Sequence, residues 1–366
     1  MRSPAFGRKQ KTFGIDIFCG AGGMSRGLQR AGIKIVCGID NDPVVAQTYM
    51  KNIHKKMLLR DIRKVTATHL RPFIPKNSQL IISVCAPCQS FSKVRKSGKA
   101  RKDRDLLLEV GRLVRSLRPD GLIVENVPQI ARSKRGGILP QFERILRSAG
   151  YSYAFGVLDA KNYGVPQNRA RMVLLALRGS GQTVVLPAPR SDACKTVRQA
   201  ISRLPVLRAG RSSAHHRLHS AAKLSATNTE RIRATPVNGG DSRSWPKRLR
   251  LACRVKSKGF SDVYGRMRWD SPAPTLTTRC ISLSNGRFGH PSQLRAISLL
   301  EAALLQTFPK SYRFHGNQGE IARQIGNAVP VKLARALGSS LIKQLTVREL
   351  VSHRSAAAGA SYTRGR

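Results

Sequence analysis

Short apolar runs alternate with amphipathic segments along the first half of the chain. The apolar runs have the length of buried β-strands, and the segments between them repeat with a helical period. The pattern predicts strands at residues 13–18, 34–39, 80–84, 122–124, 154–158 and 172–177, and helices at 24–30, 43–51, 103–117 and 139–148. Strands that alternate with helices at this spacing predict an α/β fold, in which a doubly wound, mostly parallel sheet carries helices on both faces.

The pattern changes near residue 189. From there to about residue 290 the chain is rich in Ser, Arg, Gly and Pro and shows little periodicity, which predicts a separate, loop-rich basic domain. Helical periodicity returns at residues 298–306 and 329–345. The tail at 349–366 is rich in Ala, Ser, Gly and Arg, and we expect it to be disordered.

The charge of the chain indicates its class of partner. Its 366 residues include 66 Lys and Arg against 19 Asp and Glu, a formal charge of +47, and 41% are hydrophobic. That apolar content excludes a wholly disordered basic protein, and the charge predicts a polyanionic partner, nucleic acid first. The 7 Cys are expected to be reduced thiols. No uncharged apolar run approaches the ~18 residues of a membrane span, so we expect a soluble cytoplasmic protein with no membrane partner.

A glycine-rich turn follows the first predicted strand and leads into the first predicted helix. Gly20, Gly22 and Gly23 would let a ligand approach the backbone beside the free N–H groups of a helix N-terminus. The spacing departs from the dinucleotide fingerprint, because Ser25 stands where the third glycine belongs. The turn therefore predicts a nucleotide-type pocket and disfavours a nicotinamide oxidoreductase.

Two acidic residues stand at the ends of the following strands. Asp40 can accept hydrogen bonds from both hydroxyls of a ribose, and Asp61, followed by the apolar Ile62, suits an adenine amino group beside an apolar wall. Each acid has an alternative interpretation, in which it caps a helix or pairs with a nearby Arg.

Cys88 is a candidate nucleophile on a loop after a predicted strand. The pair Cys85 and Cys88 lacks the second pair of ligands that a zinc site requires, and no helix follows at once as in a thioredoxin-like redox motif. Glu125 follows the next strand, where its carboxyl should be partly desolvated. Since Asp40, Asp61, Cys88 and Glu125 all follow strands of a parallel sheet, they should lie at the one edge where ligands bind.

The chain resembles the DNA (cytosine-5)-methyltransferases of the bacterial single-chain, restriction-modification type. The matching motifs occur in the family's order and span residues 12–345. They are Asp16-Ile-Phe-Cys-Gly-Ala-Gly-Gly23, Pro87-Cys-Gln89 with Phe91 and Ser92, Glu125-Asn-Val127, Asn162-Tyr-Gly-Val-Pro-Gln-Asn-Arg-Ala-Arg171, Pro272-Ala-Pro-Thr-Leu-Thr277, Leu305-Gln-Thr-Phe-Pro309 and Gln324-Ile-Gly-Asn-Ala-Val-Pro330.

The resemblance implies a reaction and the residues that carry it. Cytosine would be flipped out of duplex DNA, attacked at C6 by Cys88 and methylated at C5 from S-adenosyl-L-methionine, giving 5-methylcytosine. The implied catalytic residues are Cys88, Glu125, Arg169 and Arg171. The implied cofactor-binding residues are Phe18, Gly20, Gly22, Gly23, Asp40, Asp61, Ile62 and Asn327. A basic lid that binds the DNA backbone would contain Lys93, Arg95, Lys96, Lys99 and Arg101.

The resemblance also implies a domain organisation and partners. Residues 11–188 and 318–348 would form a Rossmann-like catalytic and cofactor-binding domain, residues 189–300 the target-recognition domain, and 301–317 a connection. We expect a monomer that acts on double-stranded DNA at the nucleoid, with no metal; whether a restriction endonuclease for the same site accompanies it stays open. The alternatives are a tRNA cytosine-5 methyltransferase of the same fold, disfavoured because no Cys-Phe-Thr segment occurs, and a catalytically inactive DNA-binding relative.

Overall fold

The computed structural model of the chain describes residues 10–87, 105–132, 137–179, 181, 183–190, 192, 194–251 and 263–362, with the backbone alone from 349 to 362. No helix within these ranges combines the length and the apolar composition needed to cross a membrane.

Seven strands form one sheet, in the order β3-β2-β1-β4-β5-β7-β6. All pairs among β1 to β5 are parallel, whereas β7 runs antiparallel to both of its neighbours. This mixed sheet confirms the predicted fold class. The strands are β1 (Thr12–Ile17), β2 (Lys34–Asp40), β3 (Met57–Leu59), β4 (Gln79–Val84), β5 (Gly121–Asn126), β6 (Tyr151–Asp159) and β7 (Ala170–Arg178).

The helices that flank the sheet begin and end close to the predicted positions. Five of the described strands and α-helices were missed: the strand β3 and the helices at 67–70, 197–201, 226–234 and 318–327. The strand and the first two of these helices have five residues or fewer, which is too short to show a pattern. The helices within the described residues are α1 (Gly23–Arg30), α2 (Pro43–Asn52), α3 (Ala67–Leu70), α4 (Leu106–Leu117), α5 (Ile138–Ser148), α6 (Val197–Ile201), α7 (Ala226–Ala234), α8 (Leu299–Leu305), α9 (Gln318–Asn327) and α10 (Val331–Tyr362).

The C-terminal tail differs from the expectation. We expected disorder from residue 349, but α10 continues to Tyr362. Its last part contains the run Ala356-Ala-Ala358, and Ala has the highest intrinsic helix propensity, which offsets the Gly and Ser of the same stretch.

Apolar side chains cover both faces of the sheet. Along β7, Met172 and Leu174 belong to one buried cluster, with α4 and α5, whereas Val173 and Leu175 belong to the other, with α1 and α10. Successive strand residues point to opposite faces, so a strand buried on both faces has to be apolar throughout. This explains why the central strands are continuous apolar runs rather than alternating ones.

The segment predicted to recognise the target has few regular elements and its own small core. Trp245 is 1% exposed, packs edge-on against Tyr264, and donates from Nε1 to Thr235 Oγ1 at 2.8 Å. The guanidinium of Arg266 is also buried, and it donates to backbone carbonyls that include those of Thr235 and His290. Hydrogen bonds from buried polar side chains therefore help to hold this loop-rich region together. The exact division of the chain into domains stays a prediction.

The buried carboxyl of Asp16, in β1, connects this strand to a neighbouring strand and to the helices that pack on the sheet. Its carboxylate accepts hydrogen bonds from Ser25 Oγ of α1 at 2.6 Å and from Ser83 Oγ of β4 at 2.7 Å, and Ser25 Oγ lies 2.9 Å from the hydroxyl of Tyr49 in α2. Burial raises the pKa of Asp16 to about 6, against the hydrogen bonds, which lower it. The folded protein therefore binds a proton at Asp16 more tightly than the unfolded chain does.

Gly27 sets the distance between α1 and α10. A Cβ at this position would lie 2.4 Å from Ala334 Cβ and 2.5 Å from the carbonyl oxygen of Val331. We predict that Gly27→Ala destabilises the protein by about 1–3 kcal/mol, because overpacking outweighs the gain in helix propensity. Gly319 in α9 is the matched control, since its nearest contact would be at 3.4 Å. Gly319→Ala should leave stability unchanged or raise it. Urea denaturation measures both changes, and equal effects would contradict the packing role.

Asp16→Asn tests the buried carboxyl. A group whose pKa is raised on folding stabilises the protein fully below its unfolded-state value of 3.8, and this contribution is lost as pH rises through about 6. The difference in free energy of unfolding between wild type and Asp16→Asn should therefore fall, by on the order of 3 kcal/mol, as pH rises from about 4 to above 6. Urea denaturation at a series of pH values measures it. A difference that stays constant over this range would contradict the interpretation.

Candidate active site

The glycine-rich turn between β1 and α1 has an unusual backbone. Phe18, Gly20 and Gly22 have φ values of +57°, +50° and +83°. Glycine adopts this left-handed region readily, but a bulky residue such as Phe18 does so at a cost, which is typical of functional turns. A Cβ at Gly20 would meet no atom within 4 Å. The backbone at Gly20 is therefore open to a ligand.

Asp40 lies at the end of β2, beside this turn. One carboxylate oxygen accepts the N–H of Gly20 at 2.9 Å, and the other accepts the N–H groups of Asn41 at 2.8 Å and Asp42 at 3.1 Å. Burial raises the pKa of Asp40, while these hydrogen bonds lower it. A carboxylate has about four acceptor positions, so Asp40 keeps capacity for a ligand hydroxyl after binding the turn.

Asp61 and Ile62 follow β3 at the same edge. Asp61 accepts the N–H of Arg63 at 3.0 Å and lies 3.4 Å from its guanidinium, so the capping and ion-pair roles that we had considered as alternatives are both present. Ile62 is 2% exposed and belongs to the buried cluster that includes α4. These contacts give Asp61 a structural role and leave its contact with a nucleobase a prediction.

Gly22 and Gly23 are required by packing. A Cβ at Gly23 would lie 2.4 Å from the carbonyl oxygen of Val329, and one at Gly22 would lie 2.9 Å from the hydroxyl of Tyr312. That hydroxyl also donates to the carbonyl of Ala21. The C-terminal segment thus returns to the glycine-rich turn. Asn327, at the end of α9 and two residues before Val329, is exposed and stays a candidate for the same pocket.

Glu125 and Arg171 form a buried ion pair. Arg171 Nε lies 2.9 Å from Glu125 Oε1, and the two side chains are only 14% and 9% exposed. Glu125 is near the end of β5, and Arg171 is near the beginning of β7, which runs antiparallel to β5. The structure thus brings these two predicted site residues together at the carboxyl edge of the parallel strands.

Asn126 anchors the loop that leads to Cys88. Its side-chain amide donates to the carbonyl of Ala86 at 3.1 Å, and its Oδ1 accepts the N–H of Val127 at 2.8 Å. This contact ties the residue after Glu125 to the backbone two positions before Cys88. Burial, with the nearby carboxylates of Glu125 and Asp16, raises the pKa of the Cys85 thiol well above its usual range. Cys85 is therefore a neutral thiol and a poor nucleophile.

Some of the predicted site residues cannot be placed. Cys88 and the predicted lid residues Lys93, Arg95, Lys96, Lys99 and Arg101 lie outside the described ranges.

Arg169 differs from its expected role. We expected it to contact the base or a phosphate, but it is 2% exposed, and its Nη atoms donate to the carbonyls of Leu276, Gly326 and Ala328 at 3.0–3.1 Å. Burial, and next the positive charge of Arg171, lower its pKa to about 9. The guanidinium is thus used to join three segments of the chain, which leaves Arg171 as the arginine at the site.

Two glutamines that the sequence analysis did not single out connect the motifs. Gln167 donates to Gln306 Oε1 at 3.0 Å and accepts the N–H of Leu276 at 2.9 Å. Gln306 in turn donates to the carbonyls of Ile325 and Ala328. Both glutamines are fully buried. Little in the sequence signals their roles, because both partners of Gln167 are more than a hundred residues away.

Comparisons with known proteins identify the family of the chain. The family model described as C-5 cytosine-specific DNA methylase matches residues 13–343. The type II methylase M.HgiDII of Herpetosiphon aurantiacus is 40% identical over 334 residues, which are 89% of this chain and 94% of that protein. The type II methyltransferase M1.HphI of Haemophilus parahaemolyticus is 31% identical over 340 residues, 91% of this chain and 87% of that protein.

Solved structures share the fold. A protein described as a DNA modification methyltransferase from an Escherichia coli prophage superposes with a TM-score of 0.73 at 23% identity, over 92% of this chain and 99% of that one. The Dnmt2 methyltransferase of S. pombe gives a TM-score of 0.63 at 20% identity, over 91% and 99%. With the family model matching nearly the whole chain, and the glycine-rich turn, Asp40, Glu125 and Arg171 on one sheet edge, this protein belongs to the C-5 cytosine-specific DNA methylase family.

Proposed function

We propose that this DNA methylase methylates cytosine at C5 in double-stranded DNA, with Cys88 as the nucleophile. The observation that carries the proposal is the buried Glu125–Arg171 pair, at 2.9 Å, beside the anchored loop that leads to Cys88. A stacked base cannot reach this edge, so the target cytosine is flipped out of the duplex. The product is 5-methylcytosine in DNA.

Cys88 makes the ring reactive. The C5 carbon of cytosine is a weak nucleophile because its electrons belong to the conjugated ring. The thiolate forms a bond to C6, and the electron pair of the C5–C6 double bond becomes available at C5, as in an enamine. After the methyl group is in place, C5 loses its proton, the double bond re-forms, and the C6–sulfur bond breaks to release Cys88.

Glu125 and Arg171 stabilise the charge that this attack creates. Negative charge moves toward N3 and O2 of the ring. A protonated Glu125 donates a hydrogen bond at N3, and the guanidinium of Arg171 donates at O2. Glu125 Oε1 is held by Arg171 Nε, and Arg171 Nη1 donates to the carbonyl of Ala170 at 2.7 Å, so both side chains are oriented before the substrate arrives. Arg169 is bound to the carbonyls of Leu276, Gly326 and Ala328 and has no role at the base.

The same edge fits S-adenosyl-L-methionine. The open side of Gly20 and the spare acceptor of Asp40 suit a backbone contact and a ribose, respectively, and Ile62 lies at the same edge. When bound, this cofactor supplies an electrophilic methyl group on a sulfonium. The remaining residues that we propose to hold it are Phe18, Gly22, Gly23, Asp61 and Asn327.

The rest of the proposal concerns the binding of DNA and the partners of the protein. The basic residues that follow Cys88, from Lys93 to Arg101, close over the DNA backbone as a lid and exclude water from the site. The loop-rich region at 189–300 reads the target sequence. The protein acts as a monomer on chromosomal DNA, and a restriction endonuclease of the same specificity is its functional counterpart.

Replacing Cys88 tests the mechanism. Cys88→Ala should lower transfer of a labelled methyl group from S-adenosyl-L-methionine to duplex DNA by at least about 10³-fold, because C5 is no longer activated. Cys194→Ala is the matched control, since Cys194 is an exposed thiol away from this edge. DNA with 5-fluorocytosine at the target should trap the wild type and the control covalently, but not Cys88→Ala. Labelling by Cys88→Ala at the wild-type rate would overturn the mechanism, and tRNA in the same assay tests the RNA alternative.

Replacing Glu125 tests the role of the acid. Glu125→Gln keeps the shape of the side chain but cannot supply a proton. It should lower kcat by about 10²–10⁴-fold and leave the KM for S-adenosyl-L-methionine nearly unchanged. Glu143→Gln on α5 serves as a control of the same chemistry away from the site. Steady-state methylation assays give both constants. A Glu125→Gln enzyme with wild-type kcat would show that the acid is not required.

A further inference from the structure

A groove runs along α10 and extends to the edge of the sheet opposite the predicted cofactor pocket. Its volume is about 1120 Å³, and it lies between α10 and the described residues of the segment that follows β7, from Thr183 to Arg190 with Asp192 and Lys195. The end of β7, at Leu177, lines the groove, whereas Arg171 of the active site is at the beginning of that strand. A nine-residue strand spans about 30 Å. The lining at Leu177 is therefore about 20 Å from Arg171 along β7, toward the opposite edge of the sheet.

The wall of the groove is held in place by specific contacts. The side-chain amide of Gln344, in α10, both accepts the N–H of Val185 and donates to its carbonyl, each at 3.0 Å. The hydroxyl of Tyr163 donates to the carbonyl of Pro187 at 2.8 Å. The segment that follows β7 is thus fixed to α10 on one side and to the short helical turn after β6 on the other, which preforms the groove.

The groove is strongly basic. Six basic side chains line it, against one acid, Asp192, which pairs with a groove arginine at 2.9 Å. The other five have no carboxylate within ion-pair distance among the described residues. The basic side chains are Arg190, Lys195, Lys332, Arg335, Lys343 and Arg348.

The cations are close enough to interact. Partial burial lowers the pKa of Lys332, and the positive charges of Lys195, Arg30 and Arg335 lower it further. Like charges gathered in this way repel each other until an anion binds between them. The arrangement therefore favours a ligand with several negative charges.

We propose that this groove is a second binding site for duplex DNA, which contacts the phosphate backbone outside the catalytic cleft. From Lys332 to Arg348 the helix rises by about 24 Å, which corresponds to about seven phosphates of one strand at ~3.4 Å each. The groove contacts either the DNA that flanks the target on the same duplex or a second duplex. It adds affinity without sequence recognition, since phosphate contacts carry no base information.

A triple variant removes charge from the groove and spares the active site. Lys195→Gln, Arg335→Gln and Lys343→Gln together should reduce the slope of log affinity against log salt concentration by about two to three, because each lost phosphate contact contributes about 0.9. The matched control replaces three exposed lysines that do not line the groove, Lys51, Lys55 and Lys76, with Gln. The control should keep the wild-type slope.

The methylation rate on a saturating short duplex should be the same in the wild type, the triple variant and the lysine control. This readout separates the inference about the groove from the proposed catalytic mechanism. The charge-conserving variant Lys195→Arg with Lys343→Arg should keep the wild-type slope, and an unchanged methylation rate of the triple variant shows that it is folded.

Two measurements distinguish the sources of the bound DNA. If flanking DNA binds the groove, wild-type affinity should rise with duplex length, and the triple variant should lose that rise. If a second duplex binds, titration with a short duplex should give two molecules per wild-type protein and one per triple variant. An unchanged salt slope in the groove variant, or an equal decrease in the control, would overturn the proposal.

Discussion

The reversed direction of β7 is the constraint on which the active site depends. Because β7 runs antiparallel to β5, its first residues lie at the edge where the parallel strands end, and Arg171 comes within 2.9 Å of Glu125. Glu125 and Arg171 are therefore positioned by neighbouring strands of the sheet.

Buried polar side chains then join distant parts of the chain to this edge. Arg169 binds carbonyls on segments that are more than a hundred residues away, and Gln167 and Gln306 connect the same segments. Each of these groups would be costly to bury without its partners, so the segments have to come together in one arrangement. The glycine-rich turn is closed in the same way, by Val329 and Tyr312 against Gly23 and Gly22.

Charged side chains are arranged differently in the active site and in the groove along α10. Within the site, Glu125 is paired with Arg171. Along α10, by contrast, most of the groove cations have no carboxylate partner among the described residues. Because unpaired cations gain most from a polyanion, the two regions suit different tasks: the first suits chemistry on one base, and the second suits contact with a phosphate backbone.

The sequence by itself determined the fold class, most strands and helices, and the family, because apolar periodicity and ordered motifs are local signals. It also predicted that Asp40 and Glu125 would share one sheet edge. Only the tertiary structure decided which charged groups are free to act. Arg169 and Arg171 are alike in sequence, yet one is buried among carbonyls and the other faces Glu125. The difference comes from side-chain direction and long-range contacts, which no spacing within a motif encodes.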